Sequence, residues 1–282
     1  MKILPVLLLP LCLSLAPAQR PATADALRVM SFNLRFAAET GPHPWPERAP
    51  VLVELLARER PHLVGTQEGL YHQLRDVERG LERYRWIGLG RDGGSRGEFM
   101  AIFYDPARLE PLAFDHFWLS DTPETMGSNT WGAACRRMVT WVRFRDRAED
   151  VEFFAINTHF DHVAADAREK SAALLVRRAA ALDPELPVVL LGDFNCAAGA
   201  SAPFRALVEA GPFEDAFAVA RELGAVHATG NGWDPPRAGP RIDWILTRGA
   251  VTVERAEVVA FDPARPFPSD HFPVQAALRL GR

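Results

Sequence analysis

The chain has 282 residues, of which 32 are basic and 36 acidic, giving a formal net charge of −4, and 48% are hydrophobic. That length suits one large α/β domain with a well-buried core, and the charge balance excludes a generally basic nucleic-acid-binding protein. Three cysteines are too few for a disulfide scaffold, and no Cys-x-x-Cys pair offers a structural zinc site.

Met1-Lys2, an apolar run from Ile3 to Leu15 and then Ala16-Pro17-Ala18 have the three regions of a secretory signal peptide spanning 1–18, cleaved after Ala18. A secreted or periplasmic protein follows, with a single domain over 19–282, no integral membrane segment after cleavage and a monomeric state expected. Cleavage removes Lys2 and makes the chain one charge more negative; Lys170 is then its only lysine. In an oxidising compartment Cys135 and Cys196 either form one bridge or remain two thiols.

Leu27 to Phe36 alternates as a strand, with Met30, Phe32, Leu34 and Phe36 on one face and Ser31, Asn33 and Arg35 on the other. A proline-rich loop follows, and Glu47 to Arg60 reads as a helix ended by Pro61. His62 to Gln67 is a second strand, leaving Glu68 at its carboxyl end, and Leu70 to Leu81 is a second helix. Strands are then expected over Tyr84 to Gly90, Glu98 to Tyr104, Pro111 to Leu119, Met138 to Arg145 and Val151 to Phe160. The loop Gly90 to Gly97 lacks the Gly-Lys-Ser/Thr ending of a phosphate-cradling loop and reads as a hairpin turn. A helix from Ala165 to Leu182 leads to a buried strand, Val188 to Leu191, launched by Pro187. Gly192-Asp193-Phe194-Asn195 ends it, with Asp193 and Asn195 on one face because residues two apart in an extended chain point the same way. A short helix over Pro203 to Glu209 and strands over Arg241 to Thr247, Val251 to Ala260 and Phe272 to Leu280 complete the chain. The pattern predicts a sheet-on-sheet core with helices outside.

Asn33, Glu68, His159, Asp193, Asn195, Asp243, Asp270 and His271 all fall at or near strand ends, where α/β sheets build their sites. Any one of them alone is an ordinary surface polar group; their convergence marks a candidate site. Ser31-Phe32-Asn33-Leu34-Arg35, Gln67-Glu68, Asn157-Thr158-His159-Phe160-Asp161-His162, Gly192-Asp193-Phe194-Asn195, Arg241-Ile242-Asp243-Trp244-Ile245 and Ser269-Asp270-His271-Phe272-Pro273-Val274 occur in this order. Together they resemble the endonuclease/exonuclease/phosphatase superfamily over the whole mature chain. Gly97 to Tyr104 and Arg137 to Trp141 are similar to an exported bacterial branch of that superfamily whose substrates are mostly unassigned.

The resemblance implies a DNase I-like four-layer α/β sandwich, two central mostly antiparallel β-sheets flanked by helices, and a Mg²⁺- or Mn²⁺-dependent phosphoesterase. The expected substrate is a phosphate ester, more a phosphodiester than a monoester, with nucleic acid among the candidates. Glu68, with Asn33 and Asp270 close by, offers the oxygen donors a hard cation prefers. Asp193 can act as general base toward water, and Asn195 can donate its amide to a phosphate oxygen. His271 and His159 can contact phosphate as cations, one protonating the leaving group, with Asp243 expected beside His271 and Glu98 beside His159. Arg137 is expected to clamp a phosphate oxygen, and Asp161 and His162 to face the substrate.

Two other classes stay open at this point. His159-x-Asp161-His162 also resembles the tail of a metallo-β-lactamase-like zinc hydrolase signature, with Asn157 in place of its first histidine. Gly-Asp-Phe-Asn is similar to calcineurin-like phosphoesterases, but no Gly-Asn-His follows. A non-catalytic secreted binding module would instead present Trp45, Trp118, Trp131 and Trp233 as a recognition surface, where packing is the plainer use of these rings.

Overall fold

A computed structural model describes residues 25–38 and 41–281; the signal segment read over 1–18 lies outside the described residues. The first half comprises β1 (Leu27–Asn33), α1 (Trp45–Glu59), β2 (Leu63–Gly69), α2 (Tyr71–Gly80), β3 (Arg85–Ile87), β4 (Phe99–Tyr104) and β5 (Leu109–Trp118). β6 (Met138–Asp146), β7 (Val151–His159), α3 (Ala165–Ala180) and β8 (Val188–Asp193) follow. The remainder has the two-residue strands β9 (Glu214–Asp215) and β10 (Glu222–Leu223), then β11 (Asp243–Arg248), β12 (Val251–Val258) and β13 (Val274–Leu280). Between β8 and β9 a helical turn, Ala202–Phe204, runs into one π-turn, Arg205–Glu209.

Two mixed sheets result, in the orders β10-β12-β13-β1-β2-β4-β3 and β5-β6-β7-β8-β11-β9. Parallel pairs join β1 to β2, β7 to β8 and β10 to β12; the other pairings are antiparallel. Leu52, Leu55 and Leu56 of α1 and Leu74 and Val77 of α2 pack on the first sheet, and Ala172, Leu174, Leu175 and Ala179 of α3 on the second. The order of layers is therefore helix, sheet, sheet, helix, as the apolar face of each element requires. Among the described residues no helix is long and apolar enough to cross a membrane.

β1 is central, between β13 and β2, and is buried on both faces although its sequence alternates. Its polar face meets other polar groups across the sheets. Gln67 Nε2 donates to Asn157 Oδ1 at 2.7 Å, and Asn157 Nδ2 donates to the carbonyls of Thr66 at 2.8 Å and Ala101 at 2.9 Å. This staple explains Asn157 and removes the zinc-hydrolase reading: the position that signature needs for a metal ligand instead locks the two sheets. A Cβ at Gly65 would lie 2.8 Å from Asn157 Oδ1, so only glycine lets the staple close.

Element boundaries differ from expectation where backbone geometry intervenes. β1 stops at Asn33, because Arg35 takes a left-handed φ of 54°. Gly192 lies inside β8 instead of ending it; a Cβ there would sit 2.6 Å from the Thr158 carbonyl oxygen, so the residue permits close strand pairing and not a turn. Of the tryptophans considered for a recognition surface, Trp45 and Trp118 are buried, Trp131 packs against the second core, and Trp233 is half-buried at a cavity mouth.

Candidate active site

Strand register brings the second sheet's polar ends together. His159 pairs with Asp193 across β7 and β8, and Asp193 pairs with Asp243 across β8 and β11. Phe194, which follows, turns into packing and stacks on Trp244 with centroids 4.1 Å apart. Asp243 Oδ2 lies 3.0 Å from His271 Nδ1, and Asp193 Oδ2 lies 3.4 Å from His159 Nε2 and 3.8 Å from His271 Nδ1.

The first sheet reaches the same point through Asn33. Its Nδ2 donates to Glu68 Oε1 and to Asp193 Oδ2, both at 3.0 Å, so one amide bridges carboxylates from the two sheets. Ser269 Oγ donates to the Asn33 carbonyl at 2.6 Å and accepts the His271 amide at 3.1 Å, fixing the last loop against β1. Glu68 and Asn195 hold left-handed φ values of 61° and 50°, a conformation that turns each side chain off the line of its strand.

Glu68, His159, Asp193, Asn195 and His271 line a cleft of about 300 Å³ with Arg35, Arg91, Arg137 and His162. Burial, with the charge of Asp243 next, raises the Asp193 carboxyl to about 7. Burial opposes protonation of His271, but the carboxylates of Asp243 and Asp193 prevail and hold its pKa well above the usual imidazole value. For Glu68 burial is likewise outweighed, by the Asn33 hydrogen bond and the nearby His271 charge, and its pKa falls. Asp270 is raised by burial and by the charge of Glu68.

Several expected contacts are not formed. Glu98 Oε2 accepts from Arg91 Nη1 at 2.6 Å instead of orienting His159, and burial raises its pKa to about 7. His159 is not a cation: burial, then the charges of Arg137 and Arg91, drive its pKa well below normal. Asn195 Nδ2 donates to His159 Nε2 at 2.9 Å and to the Phe160 carbonyl at 3.0 Å, so its amide hydrogens are engaged and unavailable to phosphate. A neutral His159 accepting that bond carries its proton on Nδ1, which is buried without a partner. Asn33 is a bridge and not a free ligand, since Oδ1 accepts the Arg35 amide at 2.9 Å. Asp161 does not line the cleft; it pairs with Arg137 Nε at 3.6 Å and accepts the backbone amides of Cys135, Val163 and Ala164, which shapes the loop beneath Arg137. Cys135 and Cys196 are free thiols.

Arg137 is where a clamp was expected. It is 5% exposed, contacts His162 Nδ1 at 3.0 Å through Nη2, pairs through Nε with the Asp161 carboxylate at 3.6 Å, and leaves Nη1 without a partner. The desolvated Nη1 is left with a free N–H that an anion in the cleft can meet. Arg91 and Arg35 also line the cleft, and neither was singled out from sequence. Arg35 had a signal, since it alternates with Asn33 in the first motif; Arg91, in a glycine-rich turn, had none.

Two clusters bring possible cation donors together. Asp193, Asp243 and His271 place ligand atoms within 4.8 Å of one another, yet His271 Nδ1 is spent on Asp243 and the ring is cationic, which opposes a metal there. Glu68 and Asp270 share Arg35, at 3.7 and 3.6 Å, and Asp270 Oδ1 is buried without a partner. An orphaned carboxylate oxygen beside a second carboxylate fits a hard divalent cation better.

A two-sheet sandwich with such a site at the edge of both sheets defines a phosphoesterase fold. The chain belongs to the endonuclease/exonuclease/phosphatase family, whose model matches residues 30–271, and is a hydrolase acting on ester bonds. Among solved structures it is similar to a mannosyl-6-phosphatase from Bacteroides thetaiotaomicron, with 33% identity, 90% of this chain and 100% of that one covered, and a TM-score of 0.84. It is similar also to an endonuclease/exonuclease/phosphatase from Bacteroides vulgatus, at 33% identity, 90% and 99% coverage and a TM-score of 0.86. The human Nocturnin catalytic domain with bound sulfate shares the fold at 17% identity, 91% and 95% coverage and a TM-score of 0.70. No curated protein matches the chain.

Proposed function

We propose that this protein hydrolyses a phosphate ester by in-line attack of water, with Mg²⁺ or Mn²⁺ held by Glu68 and Asp270. The observation that carries the reading is the contact of Asp193 with Asn33, and through it Glu68, on one side and with the His271–Asp243 pair on the other. Asp193, with a pKa of about 7, takes a proton from water near neutrality, which a carboxylate in the ordinary range does less well. Cationic His271 and the free Nη1 of Arg137 meet the phosphate oxygens. Neutral His159 holds Asn195, and both keep Asp193 in place. When bound, the cation offsets charge building on the phosphate oxygens.

The sequence favours a diester. We read the cleft as suited to a terminal phosphoryl group, because Arg137 Nη1 is an unpartnered donor, beside cationic His271, for the extra oxygen of a monoester. The mannosyl-6-phosphatase neighbour supports sugar phosphates as the first class to assay. Export belongs to the same reading and rests on the pattern of Met1 to Ala18.

The test is hydrolysis of sugar phosphates, bis-p-nitrophenyl phosphate, DNA, RNA and phospholipid head groups with the metal varied. EDTA abolishes activity, Mg²⁺ or Mn²⁺ restores it, and Asp193→Ala lowers kcat by about 10²–10⁴-fold. Activity that survives chelation, or equal rates for Asp193→Ala, overturns the reading.

A further inference from the structure

Beside the phosphate cleft lies a second cavity of about 140 Å³, bounded by Arg35, Phe36, His43, Arg48 and Trp233. It shares Arg35 and Phe36 with the cleft, so one small molecule can occupy both. Its far wall is a stacked pair, His43 on Trp233, with centroids 4.0 Å apart and planes 9° from parallel. On the near wall the Arg35 guanidinium lies 4.5 Å over the Phe36 ring.

The backbone marks this wall as built. His43 and Trp233 hold left-handed φ values of 60° and 73°, a strained conformation for side chains of this size that persists only where the surroundings impose it. Of the other non-glycine residues described with positive φ, Arg35, Glu68 and Asn195 line the phosphate cleft. Only Arg60, at the end of α1, and Asp150, between β6 and β7, lie elsewhere.

Two buried side chains impose the strain. Arg48, 1% exposed, donates to the carbonyls of Leu34, Arg35, Phe36, His43 and Pro268 and so ties both walls to the loop preceding Asp270. Asn231 accepts the Trp233 amide at 2.6 Å, donates to the Ser269 carbonyl at 3.2 Å, and its own amide reaches the Asp270 carbonyl at 2.7 Å. The wall is thus braced against the loop that carries the cation ligand and His271. A surface turn needs no such bracing.

The chemistry of the cavity selects its occupant. The Trp233 ring already has His43 stacked on it and the Arg48 guanidinium at 5.8 Å, so no open slot for a flat nucleobase is offered between aromatic faces. What remains is aromatic surface interspersed with guanidinium and imidazole groups, which complements a ring bearing both C–H surface and hydroxyls. The volume is below that of drug-sized pockets, roughly 300–1,000 Å³, and suits a single ring.

We propose that this cavity is the leaving-group subsite and holds the hydroxylated ring of a phosphorylated monosaccharide, its phosphate reaching the cleft from an exocyclic carbon. The proposal deepens the phosphoesterase reading above and rests on it for the position of the phosphate.

Binding of mannose 6-phosphate, glycerol phosphate and adenosine monophosphate is measured by calorimetry with Mg²⁺ on the Asp193→Ala background, which stops turnover. Mannose 6-phosphate is expected to bind about tenfold tighter than glycerol phosphate, and Trp233→Ala or His43→Ala to remove that difference while leaving glycerol phosphate within about threefold. In the active enzyme the same two variants raise KM for mannose 6-phosphate about tenfold with kcat within about threefold. His43 is exposed, so His43→Ala keeps the test open if Trp233→Ala does not fold. Equal binding of the ring and ringless phosphates, tightest binding of the nucleotide, or equal loss of all three in the variants overturns the subsite. If the binding difference holds while no phosphate is hydrolysed with any metal, the hydrolytic reading fails and the subsite stands.

Discussion

In the proposed reaction Asp243 acts on His271 and not on the substrate. Its carboxylate, 3.0 Å from Nδ1, fixes the ring and is the first of the charges that overcome burial and keep the imidazole cationic. Removing that charge in Asp243→Asn lowers the His271 pKa, so the loss of activity at high pH moves to lower pH by roughly one unit or more, read from the pH–rate profile. Glu98 gives a contrasting case. Arg91 holds it, so Glu98→Gln leaves the His159 titration unchanged by NMR, and a shifted titration would restore the pairing expected from sequence. Sequence gave both glutamate and histidine as site residues but had no means of ranking Arg91 against His159 as the partner, because Arg91 lies in a turn whose side-chain direction no periodicity fixes.

At the scale of elements, the site depends on β7, β8 and β11 running in one register, which sets His159, Asp193 and Asp243 side by side. Gly192 maintains that spacing. Gly192→Ala places a Cβ against the Thr158 carbonyl, backbone that cannot swing aside, and is expected to cost about 2 kcal/mol in urea unfolding and to lower kcat. The long strands and the three long helices were legible because their apolar periodicity persists over two turns or several pleats. The two-residue strands Glu214–Asp215 and Glu222–Leu223 were not, since so short a segment carries no period and exists only through its neighbour's hydrogen bonds.

Across the whole molecule the acid limit of stability is set partly at the opposite end of β2 from Glu68. His62 Nδ1 accepts the Arg28 amide at 3.0 Å, and burial, then the charges of Arg108 and Arg28, lower its pKa to about 4. The unfolded ring, near pKa 6.5, binds a proton more readily, so this contribution is complete above pH 6.5 and is lost as pH falls through 4. After allowance for solvent screening it amounts to about 1–2 kcal/mol. Urea unfolding of wild type and His62→Asn at pH 7 and 4.5 checks it: the gap between them narrows at the lower pH.

The sequence by itself determined the sandwich, the family and the identity of most polar groups at the cleft, because strand periodicity and ordered motifs are local properties of the chain. Only the tertiary structure decided what those groups do to one another. It turned Asn33 from a cation ligand and Asn195 from a phosphate donor into bridges, made His159 neutral, gave Glu98 to Arg91, and set Trp233 beside His43 over the buried Arg48. The reason is physical: a hydrogen-bond partner, a desolvation cost and a neighbouring charge each depend on distances between segments remote in sequence, and none of these is encoded in spacing along one strand.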